Sequence, residues 1–226
     1  MYEIQKNITR LDNGQPTFFL DPSEAREVKR KLGKNKVNVF SPFVDSEKII
    51  YYLDKEPEVI LYEIKCSNEL RHQDILGTMF SLNISKEMYG DIILYDNRYF
   101  IYILKLFQNY FEMNFTKVRN TKVELKELDL DYLKDYERAY EELELIVSSE
   151  RIDTIVSHLS GTSRTLIKDK VKDKEILLNH EILKNLSYVL KENDTFSIRK
   201  IGKFKYIGII KNTKSGNYIV KILKYI

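Results

Sequence analysis

The segment from Ser163 to Lys172 holds the residues whose types and spacing best suit a chemical task. On a helix beginning near Ser163 each residue advances about 100°. With Arg164 at zero, Lys168 falls near 40° and Lys172 near 80°, roughly in line along one flank. Leu166, Ile167 and Val171 fall at roughly 200–340° and are expected to face a core. The free N–H groups and positive dipole of the helix start, with Ser163 and Arg164 beside them, can hold a phosphate. Lys168 and Lys172 would then follow a sugar-phosphate backbone. The same periodicity also describes an ordinary amphipathic helix with a lysine-rich exposed side, so spacing alone leaves both readings open.

The charge distribution around this segment is lopsided. After Asp194 the chain has no acid, and its last 32 residues carry eight Lys/Arg. From Glu150 to the end there are 16 basic and 8 acidic residues, net +8; the first 149 hold 21 and 26, net −5. The overall +3 is the sum of two opposite fields. A cationic region at one end of a chain suits a polyanionic partner, of which nucleic acid is the commonest.

Composition bounds the alternatives. Apolar residues at 43% and charged residues at 31% fit a globular protein and argue against wholesale disorder. No apolar run approaches the roughly 18 residues of a membrane span, and MYEIQKNITRLDNG lacks a signal-peptide core. Cys66 is alone, so no internal disulfide forms and a reducing cytoplasm is expected. One Cys with His72, His158 and His180 scattered makes a metal site unexpected. Gly33-Lys34 lacks the spacing and the Ser/Thr of a phosphate loop, so no nucleotide cofactor and no small-molecule substrate are expected.

An α+β organisation in three regions positions these residues. In residues 1–56, an N-terminal α/β region, a polar opening is followed by a helix that Asp21 caps, Pro22 starts and Gly33 stops. Val37–Phe40 is expected as a strand and Ser46–Leu53 as a short helix. Residues 57–130 read as β-α-β-β-α-β: EVILYEIKC, HQDILGTMFSLNI, DIILYD, RYFIYIL, LFQNYFEMNF and TKVELKEL. That is the split βαβ (RRM or ferredoxin-like) order. Residues 131–144 lie in a stretch, Lys122 to Glu150, with ten acids and four bases, and are expected to form an acidic linker helix. Residues 145–226 read as two short helices followed by four strands, EILLN, DTFSIRKI, KYIGIIKN and NYIVKIL. Turns are expected at Asn193-Asp194 and Lys214–Asn217.

Other candidates are weaker. His72 and Asp74 could do acid–base work, yet no nucleophile or second base accompanies them, and a cap from Asp74 with a packed His72 explains them better. Gly90-Asp91 reads as a strand-entry turn. Tyr99, Phe100 and Tyr102 are of the kind that stack on RNA bases. Alternation sends Phe100 and Tyr102 to one face and Tyr99 to the other, and one face must be core.

Arg151, Asp153, Val156, Ser163, Arg164, Leu177, Asn179, Asp194 and Arg199 fall in the order of the S4 RNA-binding domain, which the C-terminal region resembles. FFLDPSE (18–24), HQDILGTMFSLNISKEMYGDI (72–92) and RKIGKFK (199–205) extend the resemblance over nearly the whole chain to the YlmH family of bacterial S4-domain proteins. The resemblance implies two helices beside a short sheet. It also implies a non-enzymatic protein binding structured RNA, ribosomal RNA or tRNA, on the large ribosomal subunit in rescue of stalled particles. With the basic ridge, the candidate contacts are Arg151, Ser163, Arg164, Thr165, Lys168, Lys172, Asn179, Arg199, Lys200 and Lys203, the last three expected along one groove. The chain departs from the family where glycines are usual, at Ser41-Pro42, Asp173-Lys174 and His180. S4 domains also accompany pseudouridine synthases; the nearest match to their catalytic Asp is Asp153, whose place at a helix start makes it structural. The competing reading is a cell-division adaptor whose S4 domain has lost RNA affinity.

Overall fold

The computed structural model describes residues 2–226, the side chain of Arg164 excepted. The chain is mixed α/β and divides into two compact units, one ending at Glu137 and one running from Arg138 to Ile226.

The first unit begins with helix α1 (Tyr2–Asp12), where only a polar stretch was expected. Ile4, Asn7 and Leu11 form its inward stripe, and the polar Asn7 in that stripe hides the helical period. Asn7 is nevertheless satisfied: its Oδ1 accepts the Phe18 N–H at 2.8 Å. Helix α2 (Pro22–Leu32) follows the expected grammar. Asp21 accepts the Glu24 N–H, Glu24 reaches back to the Asp21 N–H, and Gly33 at φ 61° ends the helix.

Strand β1 (Asn38–Phe40) pairs antiparallel with β2 (Ile50–Tyr52). The helix expected over Ser46–Leu53 is therefore corrected to a bridge at Ile49 and this strand. The β-branched and aromatic run Ile49-Ile50-Tyr51 gains more from pairing with Leu20 and β1 than from a lone helical turn.

Next come β3 (Val59–Cys66), α3 (His72–Ser81), β4 (Tyr89–Tyr95), β5 (Arg98–Leu104), α4 (Gln108–Asn114), β6 (Lys117–Val118) and β7 (Thr121–Leu128). The strands form an antiparallel sheet in the order β4-β5-β3-β7-β6. Asp96 and Asn97, both at positive φ, make the two-residue turn between β4 and β5. Gly90 lies inside β4 at a register shift, not in an entry turn. A Cβ there would stand 3.1 Å from the Phe19 ring and from Tyr102, so the glycine admits a close approach.

Both faces of this sheet are covered. Tyr62, Tyr99, Ile101 and Ile103 pack with α3 and α4 residues Ile75, Met79 and Phe111. On the other face Leu61, Phe100, Tyr102 and Leu104 pack with Phe18, Phe19, Phe43, Ile50 and Leu133. Residues 1–56 and 57–130 thus share a core rather than standing apart. Tyr99, Phe100 and Tyr102 divide between the faces as alternation requires, but all three are buried, so the stacking reading is overturned.

The second unit opens with β8 (Tyr140–Val147), where an acidic linker helix was expected over 131–144. A 3-10 turn at Leu130–Leu133 is the helical part near that stretch. Leu143, Leu145 and Val147 have a period of two and enter the core. Then come α5 (Ile152–Ser160), α6 (Arg164–Lys172), β9 (Ile176–Leu178), β10 (Glu181–Ile182), β11 (Thr195–Ile198), β12 (Gly202–Asn212) and β13 (Tyr218–Tyr225). The sheet order is β10-β9-β11-β12-β13-β8. Residues of α5 and α6 share one core with its inner face. The acids of β8 meet the bases of β13, Lys221 to Glu142 at 2.8 Å and Lys224 to Glu141 at 2.7 Å.

Candidate nucleic-acid interface

Helix α5 is held by Ile152, Ile155 and Val156 in the core and stops at Gly161, whose left-handed φ of 60° turns the chain into α6. Ser163 is the N-cap of α6, but its hydroxyl makes no cap hydrogen bond. Ile167 is fully buried and Val171 packs behind it. Leu166, expected in the core, is 56% exposed. The buried arc is narrower than the wheel suggested because α6 meets the core along one line of side chains.

Thr165, Lys168 and Lys172 are exposed along the helix. The Arg164 side chain lies outside the described residues. Lys172 stands 3.6 Å from Asp169, both largely in solvent, a pair worth little and readily exchanged for another anion. Lys170 turns inward instead and donates to Glu175 at 3.0 Å.

Glu175 ties the helix to the turn between β11 and β12. Its carbonyl accepts the Arg199 N–H at 2.9 Å, and its carboxylate lies 4.0 Å from the Arg199 guanidinium. The Lys170 hydrogen bond, aided by the charges of Lys170, Arg199 and Lys200, holds the Glu175 carboxyl below its ordinary range. One carboxylate therefore gathers three cations. Arg199 remains 67% exposed, and Lys200, in the left-handed region at φ 67°, is exposed beside it. No feature of local sequence marked Glu175 for this role, since its contacts are made by tertiary folding.

Several expected contacts are placed differently. Lys203 pairs with Ser197 in the ladder and precedes the buried Phe204, so the pleat sends it to the face opposite the helices. There its ammonium sits 4.8 Å from the Tyr225 ring centroid. It does not share a groove with Arg199 and Lys200. Arg151 binds Asp153 through two hydrogen bonds of 3.1 and 2.7 Å at the start of α5. That pair gives Asp153 a structural place.

Asn179 is committed to its own turn: Nδ2 donates to Asp194 at 2.7 Å, and Oδ1 accepts the Thr195 N–H at 2.9 Å. Lys174, Asn179 and His180 all have positive φ. Two of these, Lys174 and His180, are positions where the resemblance expects glycine, so the backbone shape is kept at some strain. Tyr206, donating to Glu150 at 2.6 Å, is a further buried tie that the sequence did not disclose.

In the first unit, Arg71 precedes α3, and Asp74 accepts its N–H from the third helical position; His72 is exposed rather than packed. Among the described residues no cluster of three His, Cys, Asp or Glu side chains is placed to hold a metal. No helix of the described residues is long and apolar enough to cross a membrane.

Residues 54–132 match the family model described as "Putative RNA-binding domain in YlmH". Over 217 residues the chain is 24% identical to the Ribosome-associated protein quality control protein P2 of Bacillus subtilis (strain 168), covering 90% of this chain and 84% of that protein. Cell division protein ylmH from Streptococcus pneumoniae aligns with a TM-score of 0.48 and 22% identity, over 59% of this chain and 92% of that one. The sequence matches show the resemblance to YlmH that the motifs indicated.

Proposed function

We propose that this chain, similar to the YlmH proteins, is a non-catalytic RNA-binding protein that acts on the ribosome. Its second unit is read as an S4 domain, and the βαββαβ portion of its first as an RRM-like (ferredoxin-like) module. The reading is carried by one observation. Lys168 and Lys172 on α6 and Arg199 and Lys200 on the β11–β12 turn are exposed in the same unit, and Glu175 joins helix to turn. Such a ridge suits the phosphates of folded RNA, with Ser163, Arg164 and Thr165 at the start of α6 completing it. Arg151 and Asn179 serve as positioning residues, since their polar groups are engaged within the fold. The name of the Bacillus relative supports a place in ribosome-associated quality control, with ribosomal RNA or tRNA of a stalled large subunit as ligand. That role places the protein in the cytoplasm.

The test is co-sedimentation of the full chain with purified large ribosomal subunits, comparing the parent with Lys168→Glu/Lys172→Glu. The parent should pellet with subunits and the variant should remain in the supernatant while melting normally. Equal pelleting would remove α6 from the interface. Absence of binding by the parent to subunits, ribosomal RNA and tRNA alike would favour the cell-division adaptor.

A further inference from the structure

The first unit poses a problem for RNA binding. An RRM-like sheet ordinarily offers aromatic side chains on its open face, yet here that face is sealed by Phe18, Phe19, Phe43 and Ile50. The segment matched by the RNA-binding-domain model therefore needs another surface.

A groove of about 390 Å³ lies between α3, the end of α4 and the β6–β7 hairpin. That volume is in the range of small-ligand sites, roughly 300–1,000 Å³. Gln73, Asp74, Asn114, Thr116, Lys117 and Arg119 are among the residues that line it, together with Gly77. Lys117 has no ion-pair partner among the described residues. Arg119 approaches Asp74 at 3.5 Å, but Asp74 already receives Arg71 at 3.1 Å. Two guanidinium groups share one carboxylate, so the mouth of the groove stays positive, and Arg119 is 65% exposed. Asn114 Nδ2 is turned to the Tyr110 carbonyl, which leaves its Oδ1 as an acceptor beside the donors of Gln73. Gly77 keeps the α3 wall clear, and a Cβ added there would meet nothing within 4 Å.

We propose that this groove receives a nucleotide of an RNA strand, with Lys117 and Arg119 meeting phosphates and Gln73, Asn114 and Thr116 meeting base or ribose edges. The inference rests on the RNA-binding reading above and supplies the contact surface that the buried sheet cannot. Cations at the mouth, the Asp74 carboxylate held by Arg71 and Arg119, and neutral donors and acceptors beside them match the chemistry of a nucleotide, whose charge and hydrogen-bonding edges lie at opposite ends.

The experiment is fluorescence anisotropy of the full chain with a labelled oligouridine strand over a salt series. Gly77→Leu puts a side chain into the groove while raising helix propensity, so the fold should hold. Lys117→Gln/Arg119→Asn removes the charges and keeps a residue tolerant of the left-handed φ of 53° at position 119. Each variant should weaken binding about tenfold or more. The charge variant should also make the log–log salt slope shallower by about 1.4, two contacts at roughly 0.7 each for a single strand. Parent-like affinity in both variants, with normal melting, would overturn the inference. If Lys168→Gln/Lys172→Gln loses affinity while the groove variants do not, the groove fails and the C-terminal ridge stands. If the parent does not bind at all, both fall. Displacement of the strand by uridine monophosphate at comparable concentration would overturn the assignment to a strand.

Discussion

Removing three exposed cations from the C-terminal ridge tests the electrostatic argument most directly. The variant Lys168→Gln/Lys172→Gln/Lys200→Asn neutralises two helix positions and one turn position without touching the core. Lys172 loses only its exposed 3.6 Å contact with Asp169, worth a few tenths of a kcal/mol. Asparagine suits the left-handed backbone at position 200 better than lysine, so melting should be unchanged or slightly higher. If each cation neutralises one phosphate of a helical RNA, the slope of log K against log salt becomes shallower by about 2.7, at roughly 0.9 per contact. Over a fourfold fall in salt, from about 200 to 50 mM, the gap in affinity between parent and variant should widen about forty-fold. Filter binding to a ribosomal RNA hairpin across that range reads the slope. A slope equal to the parent's, in a protein that melts normally, would show that the ridge faces solvent and not RNA.

Three further outcomes follow from the geometry. Asn179→Ala should cost about 2–4 kcal/mol in urea unfolding, from two internal hydrogen bonds and an unfavourable φ of 49°; Asn179→Gly should recover the backbone part, and a neutral alanine variant would refute the locked turn. Tyr102→Phe should be neutral or stabilise by about 1 kcal/mol, because the buried Tyr102 hydroxyl has no hydrogen-bond partner among the described residues. RNA affinity should be unaffected, and a loss would reinstate that sheet face as a binding surface.

Burial pushes the Lys48 ammonium from its ordinary 10.5 down to about 8, despite the attraction of Asp91. Between those values the unfolded chain holds a proton on Lys48 that the folded chain has released, so the Lys48 contribution to stability rises with pH across that window. Lys48→Met should lack this rise. Parallel stability curves for parent and variant between pH 8 and 10 would contradict it.

Much of the fold was legible because its signals are local. Asp21, Pro22, Glu24 and Gly33 specify α2 by capping alone, and Asp96-Asn97 and Gly161 specify their turns by tolerating positive φ. Alternation in RYFIYIL correctly divided Tyr99 from Phe100 and Tyr102, but it could not say that both faces would be covered. Whether an aromatic is exposed depends on what folds over it, here residues some eighty positions earlier. Strand β8 departs from the helix its residues favour for the same kind of reason. Its glutamates favour helix locally, and their lysine partners on β13 lie about eighty residues downstream. Pairing with those lysines also accounts for two of the eight tail cations, which the sequence had counted towards a binding field.

The sequence by itself determined helix α2, the β-α-β-β-α order of residues 57–114, the cationic C-terminal unit and the α6 flank of Lys168 and Lys172, because periodicity, caps and charge act over a few residues. Only the tertiary structure decided which of those charges are available. It brought Arg199 and Lys200 to Glu175, sent Lys203 to the far face, closed Arg151 and Asn179 into internal bonds and opened the groove beside Gly77. The physical reason is that an ionic or polar group's role is set by its neighbours in space, and those neighbours are distant along the chain.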